Sequence, residues 1–463
     1  MTGIASLGLI EVAEQIRAGS LSSVEVTAAV LTEARAAQGR CNCFLEIDED
    51  AALLAAAAAD RVRDAGEPLG VLHGVPLAHK DMFDDAGHAI RYGSRVRGVH
   101  VPSATAAVLE RLRSAGAIRI GALNMAEFAL GPTGHNAIFG DCRNALDPAY
   151  MAGGSSSGSG AAVAARASFA SLGSDTGGSV RIPAACNGVV GLKPTYGRIS
   201  RYGSMKLSPS IDVIGPITRS VADCARMLGV LAGHDPRDPL SSQRPSADYE
   251  GECERDIAGL RIGVPRNYFY DGITDDVREA MEQSLADLEA EGAVLVELDV
   301  PDVEAMSELS RAIVYSEATA LHGVWLRERA EQYQPQVRTR AMTGVAIPAS
   351  IYYEALLLRL PLLERFVAEV FGRCDVLHTP TLPIPVPRLV DVDVAAGESL
   401  WQTLALLVRC TAPFNFLGLP ALAVPARATD NGLLASVQLV TRPFAEGLLL
   451  RVGAAHERRH RFR

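Results

Sequence analysis

Two serine-bearing stretches and a scarcity of lysine mark the part of this sequence that could carry acyl-transfer chemistry. Of the 44 basic residues only Lys80, Lys193 and Lys206 are lysine. Arginine keeps its proton inside a protein whereas a desolvated lysine can release it, so a lysine retained in so arginine-biased a chain is a candidate neutral base. Residues 153–165 read GGSSSGSGAAVAA, and residues 172–185 read LGSDTGGSVRIPAA. Small residues at Thr176, Gly177, Gly178 and Ser179 let successive backbone N–H groups point into one concavity, the arrangement that stabilises a tetrahedral oxyanion. Glycine-flanked serines in both stretches, with a rare lysine, point to a Ser-Ser-Lys relay rather than a Ser-His-Asp one.

Competing constellations fail on context. The run at 153–165 enters an Ala/Val helix directly, so its amides belong to a helix N-terminus rather than to a flexible linker. Gly154, Ser156 and Gly158 satisfy GxSxG, but that elbow must follow a strand, and DPAYMA is a poor one; His234, His322 and His378 lack the context of a partner base. Leu77, Val190 and Gly203 stand three residues before the lysines, which removes the SxxK hydrolases. His456, Glu457 and His460 spell HExxH, yet Arg458, Arg459, Arg461 and Arg463 surround them near the end of the sequence, and no zinc site is expected. The eight cysteines show no CxxC spacing and read as buried or free thiols. No metal and no organic cofactor are expected.

The positioning elements follow from periodicity. Helices are expected over 4–18, 22–37 and 50–65, then a β-type run at GVLHGVPLAHK, a helix near 104–115 and a strand at 117–123. A small-residue strand over 168–173 delivers the second serine loop. Alternation resumes at 261–265, 275–291 and 293–298, and the strands at 375–379, GLPALAVPA and SVQLV precede a last helix over 444–458. The expectation is an α/β fold, a mostly parallel sheet covered by helices on both faces, as one domain spanning 1–463 with a helical cap at about 303–372. The cap's LRERAEQYQPQVRTRAM reads as solvated faces of mixed charge.

A formal net charge of -10 argues against sequence-wide attraction to nucleic acid or anionic membrane. There is no leader-like apolar segment and no long apolar span, so the expected location is the cytoplasm.

GVPLAHKD, GGSSSGSGAAVAA and GSDTGGSVRIPAACNGVVGLKPTYGRIS closely resemble the amidase signature family, and the resemblance continues through TAPFNFLGLPALAVPA to SVQLVTRPF. It implies Ser179 as nucleophile, Ser155, after a cis peptide bond from Gly154, as bridge, and Lys80 as base. It implies amides of Thr176 to Ser179 around the oxyanion, Asp175 and Arg181 as ties of the serine loop, a structural Lys193, and Ala129 and Gly131 beside the acyl pocket. Met125, Phe128, Leu130 and Ile182 add the expectation of a neutral, partly apolar acyl group. The implied activity is hydrolysis of an amide, anilide or carbamate, or an ester, through an acyl-enzyme. Ile182, where glutamine-hydrolysing A subunits of tRNA-dependent amidotransferases usually carry Gln, favours a stand-alone monomer or homodimer acting on a small molecule, with no nucleic acid and no membrane. SRYG at 200–203 resembles the A subunits, which form the alternative.

Overall fold

The computed structural model describes residues 3–393 and 398–460. Helices α1 (Leu9–Arg17) and α2 (Ser23–Cys41) open the chain, the second entered through a reciprocal cap in which Ser22 accepts the Glu25 N–H and Glu25 accepts that of Ser22. Then follow β1 (Phe44–Ile47), α3 (Glu49–Asp64), β2 (Pro76–Lys80), α4 (Ala107–Ser114) and β3 (Ile118–Leu123). β3 lies between β1 and β2 in a small sheet, antiparallel to the first and parallel to the second. Lys80 is thus the last residue of a buried strand.

The chain continues with α5 (Ser157–Ala164), β4 (Ala170–Asp175), α6 (Arg181–Cys186), β5 (Val190–Lys193), β6 (Val213–Thr218), α7 (Val221–Leu231), α8 (Tyr249–Cys253), β7 (Arg261–Pro265), α9 (Asp275–Ala290) and β8 (Val294–Leu298). Helices α10 (Val303–Glu328), α11 (Pro335–Met342) and α12 (Ala349–Glu369) fill the expected cap segment. The last part holds β9 (Val376–Pro380), α13 (Glu398–Arg409), α14 (Ala412–Phe416), β10 (Ala421–Ala428), β11 (Leu434–Val440) and α15 (Glu446–Arg459).

The eight-stranded sheet runs β4-β6-β5-β10-β11-β9-β7-β8. The mixed α/β class is as expected, but the mostly parallel sheet is not: only β7 with β8 and β7 with β9 run parallel, and every other neighbouring pair is antiparallel. The crossover read from the sequence is real in the small sheet, where β2 and β3 run parallel on either side of α4. In the large sheet β4 and β5, the second of them not expected from the sequence, also point the same way around α6. β6 is inserted between them and runs against both. Every residue of β4, β5 and β6 is buried, so these strands carry continuous small and aliphatic runs rather than an alternation that would reveal their partners. No single described helix is long and apolar enough to cross a membrane.

Candidate active site

Three elements meet at the buried centre. The end of β2 presents Lys80, the loop entering α5 presents Ser155, and the end of β4 presents Ser174. Lys80 Nζ lies 2.7 Å from Ser155 Oγ and 2.9 Å from Ser174 Oγ. Both hydroxyl-bearing residues and the lysine are buried. Burial pushes the Lys80 ammonium down to about 7, against the opposing charges of Asp212 and Asp175. As an ammonium it donates to both serines; as an amine it can accept the Ser155 proton and still donate to Ser174. Ser174 escaped sequence reading because nothing but its place at the end of β4 distinguishes it.

The Gly154–Ser155 peptide is cis. Gly154 is required there, because a Cβ would stand 2.5 Å from the Gly131 carbonyl oxygen. Ser179, half-buried in the loop between β4 and α6, accepts the Ser156 N–H at 3.4 Å through its carbonyl. Its hydroxyl is not hydrogen-bonded to Ser155. Catalytic hydrogen bonds are often open until substrate is bound.

A buried ion pair shapes the serine loop. Arg181 grips Asp175 through Nε at 3.0 Å and Nη2 at 2.8 Å, and bonds also to Asn415, Gln438 and the Thr411 carbonyl. Burial alone would raise the Asp175 carboxyl, but Arg181 holds it well below the usual carboxylate range. Asp175 also accepts the Gly178 N–H at 2.8 Å. This corrects the expected oxyanion set: the Gly178 amide is committed to the loop's own tie, which leaves Thr176, Gly177 and Ser179 as candidate donors. Gly178 serves conformation instead, with φ at +129° and a Cβ position 2.4 Å from Thr411 Oγ1. Thr176 donates its hydroxyl to Asp212 at 2.6 Å.

The loop opens into a cavity of about 730 Å³ lined by Ala129, Gly131, Thr176, Gly177 and Ser179, and by the α11 residue Arg340. Leu130 lines the cavity too, but Met125, Phe128 and Ile182 are buried elsewhere and do not, so they say nothing about the acyl group. Arg340 was missed because VRTRAM reads as a solvated helix face. It is only 9% exposed. Its Nη1 reaches the Leu130 carbonyl at 3.4 Å, its Nε is buried without a partner, and no carboxylate among the described residues pairs with it. Burial lowers its pKa, the cost of a guanidinium held out of water without a counter-ion.

The remaining sequence candidates lie apart. Lys193 is buried and pushed down to about 7 by burial, with Arg181 reinforcing, but its Nζ is bonded to the Pro194 carbonyl rather than to either serine. Lys206 is exposed. His456 and His460 gather beside Asp287, while Glu457 accepts the Val221 N–H at the start of α7; none of these lines the Ser179 cavity.

A family model described as Amidase matches residues 25–450. The A subunit of the glutamyl-tRNA(Gln) amidotransferase of Myxococcus xanthus is 38% identical, over 99% of this chain and 98% of its own. Its counterpart from Chloroflexus aggregans is 40% identical over 96% and 94%. A solved structure described as a vestigial protein complex revealing the origins of an s-triazine catabolic enzyme superposes with a TM-score of 0.91 at 35% identity, covering 98% of this chain and 99% of that one. These relatives correct the expectation of a self-sufficient monomer or homodimer concerned only with a small molecule: they are named as one component of a tRNA-linked enzyme, or come from a complex. The acidic balance of this chain describes its own surface and carries no information about an assembly.

Proposed function

The chain belongs to the amidase family, and we propose that it acts as an A-type amidohydrolase subunit, releasing ammonia from a primary carboxamide that also bears a carboxylate, of which glutamine, the substrate implied by the resemblance to glutamine-hydrolysing A subunits, is the example. The observation carrying this reading is Arg340, a buried guanidinium lining the Ser179 cavity, its Nε without a hydrogen-bond partner and with no acidic partner among the described residues. Such a group is satisfied by a bidentate carboxylate. Ile182 does not weigh against the A-type reading, because its side chain packs with Met151, Cys186 and Leu407 and lies outside the cavity.

In this reading neutral Lys80 takes a proton from Ser155 as Ser155 takes one from Ser179, and the Ser179 oxygen bonds to the amide carbon. Amides of Thr176, Gly177 and Ser179 receive the oxyanion. Collapse of the tetrahedral adduct breaks the C–N bond while the proton returns through Ser155 to the departing nitrogen, giving ammonia and an acyl-enzyme. Water, deprotonated by the same relay, then frees the acid. The test is ammonia release from glutamine, glutaramate and pentanamide. Preference for the two carboxylate-bearing amides, and loss of all turnover in Ser179→Ala, are expected; equal turnover of pentanamide would overturn the assignment of Arg340.

A further inference from the structure

Glu127 is a fully buried carboxyl that the proposed mechanism does not use. It has no ion pair among the described residues, and burial pushes it up to about 7. A group so costly to bury is retained for the bonds it makes. Its Oε1 accepts the Ser94 hydroxyl at 2.6 Å, and its Oε2 accepts the backbone N–H of Gln334 at 2.9 Å. Gln334 is the N-cap of α11, the helix that carries Arg340.

The short segment holding Glu127 touches the site at both ends. The Ala126 N–H donates to the Ser155 carbonyl at 3.1 Å. The Leu130 carbonyl accepts Arg340 Nη1 at 3.4 Å. Between them Phe128 and Ala129 turn through φ of +50° and +60°, and the Phe128 ring packs on His322, Trp325 and Tyr333 of the cap. One turn therefore grips α11 at its N-cap and at its guanidinium, while its own start is bonded to the bridging serine.

We propose that Glu127 is a positioning residue that sets the distance between the Arg340 guanidinium and the Ser155–Ser179 relay by anchoring the N-terminus of α11 to the Ala126–Gly131 turn. This rests on the reading of Arg340 as the carboxylate-binding group. The effect belongs to recognition of the charged end of the substrate, so it appears in the ratio of kcat/KM for glutaramate to that for pentanamide.

Glu127→Ala should lower this ratio at least tenfold, mainly through KM for glutaramate, and Glu127→Gln, which still accepts the Gln334 N–H, should restore it to within about threefold. Gln334→Pro provides a second variant that deletes only the donated N–H from the backbone. Gln334 has φ of -64° and Tyr333 before it has ψ of 145°, both suited to proline at 334. Because this change also removes the side chain that accepts the Ala137 N–H, Gln334→Ala is its control. Gln334→Pro should match Glu127→Ala, and Gln334→Ala should match the parent. If Arg340→Ala collapses the ratio while Glu127→Ala and Gln334→Pro leave it intact, the positioning role is overturned alone. If Arg340→Ala leaves the ratio unchanged, the carboxylate reading falls and this proposal with it.

Discussion

A lysine works as a general base only when it can shed its proton near the working pH, and Lys80 meets that condition through burial at about 7. The proposed relay therefore loads as pH rises: kcat/KM should climb tenfold per unit below about pH 6 and level above about 8, a profile to be read from initial rates on glutaramate. Lys80→Met should lower kcat by about a thousandfold or more and remove that limb. An acid limb that persists in the mutant would assign the titration elsewhere, with Asp212, raised by burial to about 6, the first group to examine. At this scale legibility tracked rarity. Scarce lysine and glycine-flanked serine stretches marked the candidates, and the resemblance to the amidase signature family singled out Lys80, Ser155 and Ser179 among them. Arg340 did not, because a charge on an amphipathic helix looks solvated until the fold covers it, and the Gly178 amide could not be known to serve Asp175 before the loop was seen.

The serine loop is held by elements far apart in the chain. Arg181 on α6 joins Asp175 at the end of β4 to Asn415 on α14 and Gln438 on β11, all buried. Removing one member of such a buried pair strands the other charge, so Asp175→Ala should cost about 3–5 kcal/mol in urea unfolding and abolish turnover as well. A stable but inactive protein would instead place Asp175 in the chemistry. Gly178→Ala, which drives a methyl into Thr411 at a φ reserved for glycine, should reduce activity by at least tenfold with a smaller loss of stability. Periodicity located α9 to within a residue or two because Val277, Ala280, Met281, Ser284 and Leu288 make one buried face, and β7 and β8 were located equally closely as short apolar runs on either side of it. It missed β1, β5 and β6 and the order of the large sheet. The pairing of β5 with β10 joins residues more than two hundred positions apart, and strands buried on both faces leave no mark of their neighbours.

Over the whole chain, ionisation sets the range in which the fold can serve the site. Burial pushes seven of the eight thiols up, those of Cys43, Cys142, Cys186, Cys224, Cys253, Cys374 and Cys410. Unfolded thiols ionise near 8.5, so above that pH the unfolded chain binds fewer protons than the folded one at these positions and stability falls as pH rises. Lys80 and Lys193 act in the opposite sense: both fall to about 7 in the fold, whereas unfolded lysine keeps its proton to about 10.4, so they favour folding increasingly across that interval. Two lysines oppose seven thiols. Stability should therefore fall by a few kcal/mol per unit, to order of magnitude, between about pH 8.5 and 10, measured by urea unfolding in reductant. A flat or rising curve would mean that the thiols ionise in the folded chain. Since the Lys80 limb saturates at about 8, full activity without the thiol-linked loss of stability should be confined to between about pH 8 and 8.5, and replacing Cys410 and Cys374 with alanine should lessen the alkaline fall without moving the acid limb of the rate profile.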